Sequence, residues 1–307
     1  MATVSIVLAT YNGAAHLEEQ LASIFKNTYT DWILEICDDG STDRTLEIIG
    51  EYQEQYPDKI LLHRNEENQG VTVNFLEGAK RAQGEYVMFC DQDDVWLPEK
   101  IEKTLHFMKE QEKMEGENTP VVVFTDASLV DGVLRTLNDS FFDYNGLRTD
   151  QIDLAHLLIE NKVIGCTSMF NRAVVDRIIR FPKMARYHDW WIALIGATFG
   201  KIAFLNEPTM KYRQHGANVV GAQNFFQYFI SRISNIKVQK QSLQACEKQA
   251  WEFYEIYKPY LLEEQKQTIL EFANIYSVNW LEKRDRLFRH GYWKSGLIRN
   301  IGVFLLI

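Results

Sequence analysis

The sequence predicts an α/β fold, a mostly parallel sheet covered by helices. Three observations lead there. Across the first two hundred of the 307 residues, short apolar runs alternate with amphipathic stretches. The runs are bounded by Gly, Asp and Asn, as buried strands are. Several end in polar clusters, at the strand ends where open α/β sheets bind ligands.

The elements follow in order. Val4 to Ala9 reads as a buried strand ending at Thr10-Tyr11-Asn12-Gly13. Leu17, Leu21, Ile24 and Phe25 then recur at helical spacing. Ile33 to Cys37 is a second strand, ending in Asp38-Asp39-Gly40-Ser41. Ser41 is expected to cap the next helix, with Asp43 in its first turn. Ile60 to Leu62 is a third strand and Val73 to Ala82 a third helix. Tyr86 to Cys90 is a continuous apolar run, as a central strand is. It ends in Asp91-Gln92-Asp93-Asp94, and Pro98 stands near the start of another helix. Val121 to Phe124 gives one more strand.

After Gly221 the pattern becomes helical. Phe225, Phe226, Phe229, Ile230 and Ile233 form one face; Leu243, Cys246, Ala250, Phe253, Tyr254 and Tyr257 form another. Residues 1–222 are therefore expected to form the α/β domain and 223–307 a helical appendage.

Composition removes several classes. With 46% hydrophobic and 24% charged residues the chain can bury a core, which excludes disorder and fibrous repeats. A net charge of -9 argues against a nucleic-acid partner, so any nucleotide is expected as a small ligand. Cys37, Cys90, Cys166 and Cys246 are far apart and form no Cys-x-x-Cys pair, which fits a reducing compartment. No basic leader and no long apolar span is present, so a cytoplasmic chain is expected. From Lys283 to Arg299 six basic residues (Lys283, Arg284, Arg286, Arg289, Lys294, Arg299) face one acid, Asp285. Tyr292 and Trp293 interleave, and the apolar end Gly302 to Ile307 follows. That pattern suits a peripheral anionic membrane surface, on the inner face of the cell membrane.

Asp91, Asp93 and Asp94 repel one another unless a cation sits among them. Hard oxygen ligands favour Mg2+ or Mn2+, which would hold the diphosphate of a nucleotide as a leaving group. The run Asp91-Gln92-Asp93-Asp94-Val95 also fits the nucleophile loop of haloacid-dehalogenase-type phosphatases, with Asp91 as nucleophile. That loop normally follows a first strand, and here three precede it.

The chain resembles glycosyltransferase family 2, of GT-A fold. The resemblance rests on four pieces in register: Ser5 to Asn12, Asp38 to Asp43, Asn68-Gln69-Gly70 and Asp91 to Trp96. It implies a donor site in which Ala9, Thr10, Tyr11 and Asn12 border the base and ribose, with Asp38 and Asp39 beside them. Asp39 would accept from the base, which suits uracil or thymine and does not separate them. Asp91 and Gln92 would lie near the ribose, and Asp93 would ligate the metal, assisted by His215. Arg213 would neutralise the leaving phosphates.

An inverting transferase needs a general base for the acceptor hydroxyl. Asp189, in Tyr187-His188-Asp189-Trp190-Trp191, opens an apolar helical run and is the best candidate. The resemblance supports it, and places Cys166 and Thr167 on the acceptor side; Trp190 and Trp191 are either core, the usual fate of tandem aromatics, or stack on a sugar there beside His188. The combination with Gly165-Cys166-Thr167 looks most like bacterial rhamnosyltransferases that use dTDP-L-rhamnose to build surface polysaccharide on a lipid carrier. A UDP-sugar donor, and a nucleotide-sugar-binding subunit without catalysis, are the alternatives.

Overall fold

A computed structural model describes residues 3–214 and 236–307. The first strand, β1 (Val4–Thr10), is apolar and almost wholly buried, which places it inside the sheet rather than at an edge. It pairs in parallel with β2 (Trp32–Asp38) on one side and β4 (Tyr86–Cys90) on the other. β3 (Ile60–Arg64) extends the sheet in parallel beyond β2. Helices α1 (Leu17–Phe25), α2 (Thr45–Gln55) and α3 (Val71–Arg81) connect these strands and cover them with Leu21, Ile24, Ile49, Phe75 and Leu76.

The second half of the sheet is mixed. β5 (Val95–Trp96), β6 (Val121–Val130), β7 (Thr136–Asn138), β8 (Ser168–Asn171) and β9 (Lys201–Arg213) complete it. The order is β3-β2-β1-β4-β8-β6-β9-β5, with β7 paired to β6. β8 runs antiparallel to both β4 and β6, while β6 and β9 are parallel.

Two local expectations change. The last sequence-predicted strand continues from Phe124 to Val130 despite its polar residues. Buried Asp126 is tolerated there because its carboxylate accepts from the Phe141 and Ala127 amides and the Ser140 hydroxyl. Ser41 does not cap α2, which starts four residues later. Its hydroxyl is drawn instead to the Asp38 carboxylate and the Asn12 amide.

Four short or medium helices lead into the site: α4 (Lys100–Glu115), α5 (Phe141–Asn145), α6 (Leu154–Ile159) and α7 (Arg172–Asp176). α8 (His188–Phe199) follows, apolar on nearly all sides and buried between the sheet and the C-terminal helices. Those are α9 (Ile236–Tyr257), α10 (Glu263–Ala273), α11 (Trp280–His290) and α12 (Leu297–Leu306).

Leu243, Cys246, Ala250, Phe253 and Tyr257 are buried as their spacing predicts. They do not close a separate core. Trp191 of α8 packs against Phe253 and Tyr257 at ring separations of 5.1 and 6.1 Å. The expected boundary at 222/223 and the face from Phe225 to Ile233 lie outside the described residues.

The tail is partly docked. Arg284, Tyr292, Val303 and Ile307 are buried, so the expected row of surface cations and aromatics is interrupted. Tyr292 is held by its hydroxyl, which donates to the Thr268 carbonyl at 2.5 Å.

Candidate active site

The carboxyl ends of β1, β2 and β4 meet at a cavity of about 930 Å³. Its wall includes Ala9, Thr10, Tyr11, Asn12, Asp39, Asp91, Gln92 and Asp93 from one side. From the other come Asn161, Gly165, Arg186, His188, Asp189 and Trp190.

The loops on the first side are laced together through their backbones. Asn12 takes a left-handed φ of 48°, and its side-chain oxygen accepts from the Thr42 amide at 2.8 Å. The Gly13 amide donates to Thr45 Oγ1 at 2.8 Å and the Ala14 amide to Asp43. Gln92 forms a reciprocal pair with the Tyr11 backbone, accepting from its amide at 2.9 Å and donating to its carbonyl at 3.2 Å. The chains approach so closely that a Cβ on Gly13 would stand 2.1 Å from Gln92 Oε1. A side chain there would have to push the Gln92 amide aside and so break its pair with Tyr11.

Asp39 reaches the cavity while holding the next turn. Its carboxylate accepts from Asn65 Nδ2 and from the Gln69 and Gly70 amides at 2.8–2.9 Å. Asp38 departs from the expectation: it is fully buried and does not line the cavity. Its oxygens are taken by Thr10, by the Gly40 amide and by Ser41, so it braces the loop. Gln92 is on the wall, but its amide is committed to Tyr11 rather than directed at a ligand.

In the acidic loop, Asp91 and Asp93 line the cavity and Asp94 lies beneath. The Asp94 carboxylate accepts from the Arg213 amide at 3.0 Å, and its other oxygen has no hydrogen-bond partner. Ligand atoms of Asp91, Asp94 and Cys166 come within 4.8 Å of one another. Burial, then the neighbouring carboxylates, push Asp91 and Asp94 above the usual carboxylate range. An unpartnered buried carboxylate oxygen in a cluster of repelling acids fits a hard divalent cation. The Cys166 thiol fits one poorly, since burial raises its pKa and keeps it neutral. Behind the cluster the fully buried Lys100 donates to Thr209 Oγ1 at 3.2 Å, with its pKa pushed down to about 8 by burial.

Arg213 is a second departure. Its guanidinium does not line the cavity; it donates to the carbonyls of Asp93 (2.8 Å) and Gly132 (2.7 Å) and to the Glu19 carboxylate. It ties β9 to the acidic loop. His215 lies outside the described residues.

Across the cavity, Asp189 sits in the first turn of α8. Three donors fix its carboxylate: Asn161 Nδ2 (3.0 Å), the Gly165 amide (3.0 Å) and the Trp190 amide (2.6 Å). Burial outweighs them and pushes its pKa up to about 7. His188 also lines the cavity, stacked on Phe75 with centroids 3.8 Å apart, and neither ring nitrogen has a partner. Burial pushes its pKa down to about 3, so it is neutral and a weak base. A Cβ on Gly165 would lie 2.6 Å from His188 Nε2, so glycine is needed at that contact.

Trp190 lines the cavity and is anchored by its indole N–H, which donates to the Leu157 carbonyl at 2.5 Å. Trp191, Cys166 and Thr167, expected on the acceptor side, do not line it. Trp191 points the other way into the core, and the Thr167 hydroxyl is spent on the Ile164 carbonyl. Sequence reasoning missed Asn161, Lys162, Arg186, Ser242 and Lys294, all on the wall. Asn161 stands only four residues before Gly165. The others carry no local motif.

This sheet order, with an acidic loop after β4 at a cavity on the strand ends, is that of the GT-A fold. The overall structure resembles a mannosyltransferase of Pyrobaculum calidifontis solved with GDP-Man and Mn2+ (TM-score 0.58, 18% identity, 99% of this chain and 78% of that one). It also resembles Staphylococcus aureus TarS residues 1–349 solved with UDP-GlcNAc (TM-score 0.57, 17% identity, 95% and 93%). Residues 5–179 match Glycosyl transferase family 2, and the chain belongs to that family. Among curated relatives, an uncharacterized glycosyltransferase of Nostoc is 32% identical over 70% of this chain, and the match spans 66% of that relative's length. The dTDP-rhamnosyl transferase RfbG of Shigella flexneri is 30% identical over 75% of this chain and 79% of its own. Family membership removes the phosphatase alternative.

Proposed function

We propose that the protein is an inverting, metal-dependent glycosyltransferase with Asp189 as its base, and that it moves L-rhamnose from dTDP-L-rhamnose to a lipid-linked glycan. One observation carries the mechanism: a carboxylate fixed by three donors faces the Asp91–Asp93 loop across a single cavity. The acceptor hydroxyl gives its proton to Asp189 as its oxygen bonds to the anomeric carbon. The bond from that carbon to the diphosphate oxygen breaks on the opposite face, so the configuration inverts. The acidic loop, Asp91, Asp93 and Asp94, would hold a divalent cation, which, when bound, neutralises charge on the departing diphosphate. Asp39 keeps acceptor capacity for the N3–H of thymine or uracil.

The rhamnosyl donor is supported by the likeness to RfbG; a UDP-sugar is the second reading, supported by the likeness to TarS with UDP-GlcNAc. Thermal stability with dTDP, UDP and GDP, each with and without Mn2+, separates them. A ligand at one hundred times its Kd stabilises by about 2.7 kcal/mol. Metal-dependent stabilisation by dTDP and not UDP supports rhamnose; the reverse discards it; no response to any nucleotide overturns the donor site.

The membrane surface is assigned to α11 and α12. Leu281 and Phe288 are exposed on one face of α11, and Leu297, Ile301 and Leu305 on one face of α12. Trp280 and Phe304, 6.1 Å apart, bridge the two helices, and the Arg284 guanidinium lies 4.4 Å over the Trp280 ring. No helix among the described residues is long and apolar enough to cross a membrane, so this contact is peripheral.

A further inference from the structure

Asp189 is held from a segment without regular structure. Residues 160–164 run from the end of α6 to Gly165 as neither helix nor strand. Side-chain bonds therefore set their course. Asn161 closes a small loop, accepting from the Val163 amide at 3.1 Å and donating to the Val163 carbonyl at 2.9 Å. The same Nδ2 donates to Asp189 at 3.0 Å.

Glu160, one residue earlier, is tied to the tail. Its carboxylate accepts from the Ser295 amide at 2.6 Å, across 135 residues of chain, and lies 3.8 Å from Arg299. Lys162 Nζ stands 3.2 Å from it and donates to the Gln151 carbonyl as well. Burial would raise the Glu160 pKa, but Lys162, Lys294 and Arg299 together hold it below the usual value. Glu160 is thus a fixed carboxylate at neutral pH. Its tail partner is itself clamped. Asn300 of α12 accepts from the Lys294 amide at 2.7 Å and donates to the Lys294 carbonyl at 2.9 Å. Ser295 Oγ accepts from the Arg148 amide at 3.0 Å, and Arg299 donates to the Gly146 carbonyl at 2.8 Å.

We propose that Glu160 is a positioning residue for the base: bonded to the α11–α12 connector through the Ser295 amide, it holds Asn161 within reach of the Asp189 carboxylate. The inference rests on the reading of Asp189 as base and adds the device that aims it. The helices assigned above to a membrane surface thereby end on the bracket beside the base.

The Asp189 carboxyl can be followed directly, by the infrared band of its protonated C=O, identified by its loss in Asp189→Asn. In the wild type it should titrate near 7. Glu160→Ala lets Asn161 drift from the charged carboxylate, so the midpoint should rise by about one pH unit. Transfer at pH 7 should fall about tenfold with donor KM unchanged. In Asn161→Ala the midpoint should rise alike, and adding Glu160→Ala should then add nothing. Glu160→Gln, which keeps an acceptor for the Ser295 amide, should restore most of the wild-type midpoint. Asp91, which faces Asp189, and neutral His188 beside it are the same in every variant. A midpoint that stays or falls in Glu160→Ala overturns the proposal, since removing a nearby negative charge through space lowers a carboxyl pKa. So does an equal rise with and without Asn161, which would mean that Glu160 acts by another route. If Glu160→Ala does not fold because Lys162 is left buried and unpaired, Glu160→Leu/Lys162→Met removes the pair together and carries the same test. Full transfer by Asp189→Asn ends the base reading, and the band alone then decides whether Glu160 positions Asp189.

Discussion

The two sides of the cavity are built differently. The donor side comes from three loops that follow β1, β2 and β4, and each carries its own short motif. Their side chains mostly bond to backbone of the next loop: Asn12 to Thr42, Asp39 to Gln69 and Gly70, Gln92 to Tyr11. The acceptor side is assembled from segments far apart in the chain. Asp189 takes donors from residues 24 and 28 positions away, Arg186 rests on Ser242, and Glu160 meets Ser295 across 135 residues. A motif-built half keeps its geometry when the rest is altered, and a packing-built half does not.

The sharpest test of this contrast is Asp189→Asn. Loss of the base should lower transfer by about 10²–10⁴-fold, while dTDP or UDP still stabilises the protein, because no donor-loop contact is touched. Retained transfer would end the assignment of the base. Gly13→Ala probes the other side. The added methyl pushes the Gln92 amide aside and breaks its pair with Tyr11, a loss of about 0.5–1.5 kcal/mol per hydrogen bond. Melting and nucleotide affinity should both fall, with acceptor KM little changed.

Asn161→Ala removes one donor from the ionised Asp189. The base must be deprotonated to work, and its pKa is already up near 7, so transfer rises with pH through that range. Losing a bond to the charged form raises the pKa further, and the acidic limb of the pH–rate profile should move up by about one unit. An unmoved limb would break the link between Asn161 and the base. The smallest effect on the fold is expected for Leu281→Glu/Ile301→Glu. Stability should change by no more than about 0.5 kcal/mol, yet sedimentation with vesicles containing anionic lipid should be lost.

The same contrast explains what was legible in the sequence. Continuous apolar runs and the clusters at their ends placed β1, β2, β4 and most of the donor side. The place of Asp189 in the first turn of a helix was legible because an apolar run follows it. The departures are residues whose side chains were claimed by neighbours that no motif announces: Asp38 by Ser41 and Thr10, Arg213 by Glu19 and two carbonyls, Trp191 by Phe253 and Tyr257. Residue type is visible in the sequence, but the direction of a side chain is set by tertiary packing. Lys162 and Arg186 carry no local motif, and Lys294, read in sequence as a tail cation at a membrane surface, lies on the cavity wall instead.

Trp191 gives the molecule a hidden strut. It stands two positions after the base on the opposite face of the same helix, and its far side is propped by aromatic rings from a helix that begins some forty residues later. A chain cut after β9 would retain all three nucleotide loops and lose the prop. In such a fragment the helix should tilt and carry the carboxylate off line, so the position of one side chain on the wall is made answerable to rings on the far side of its own helix.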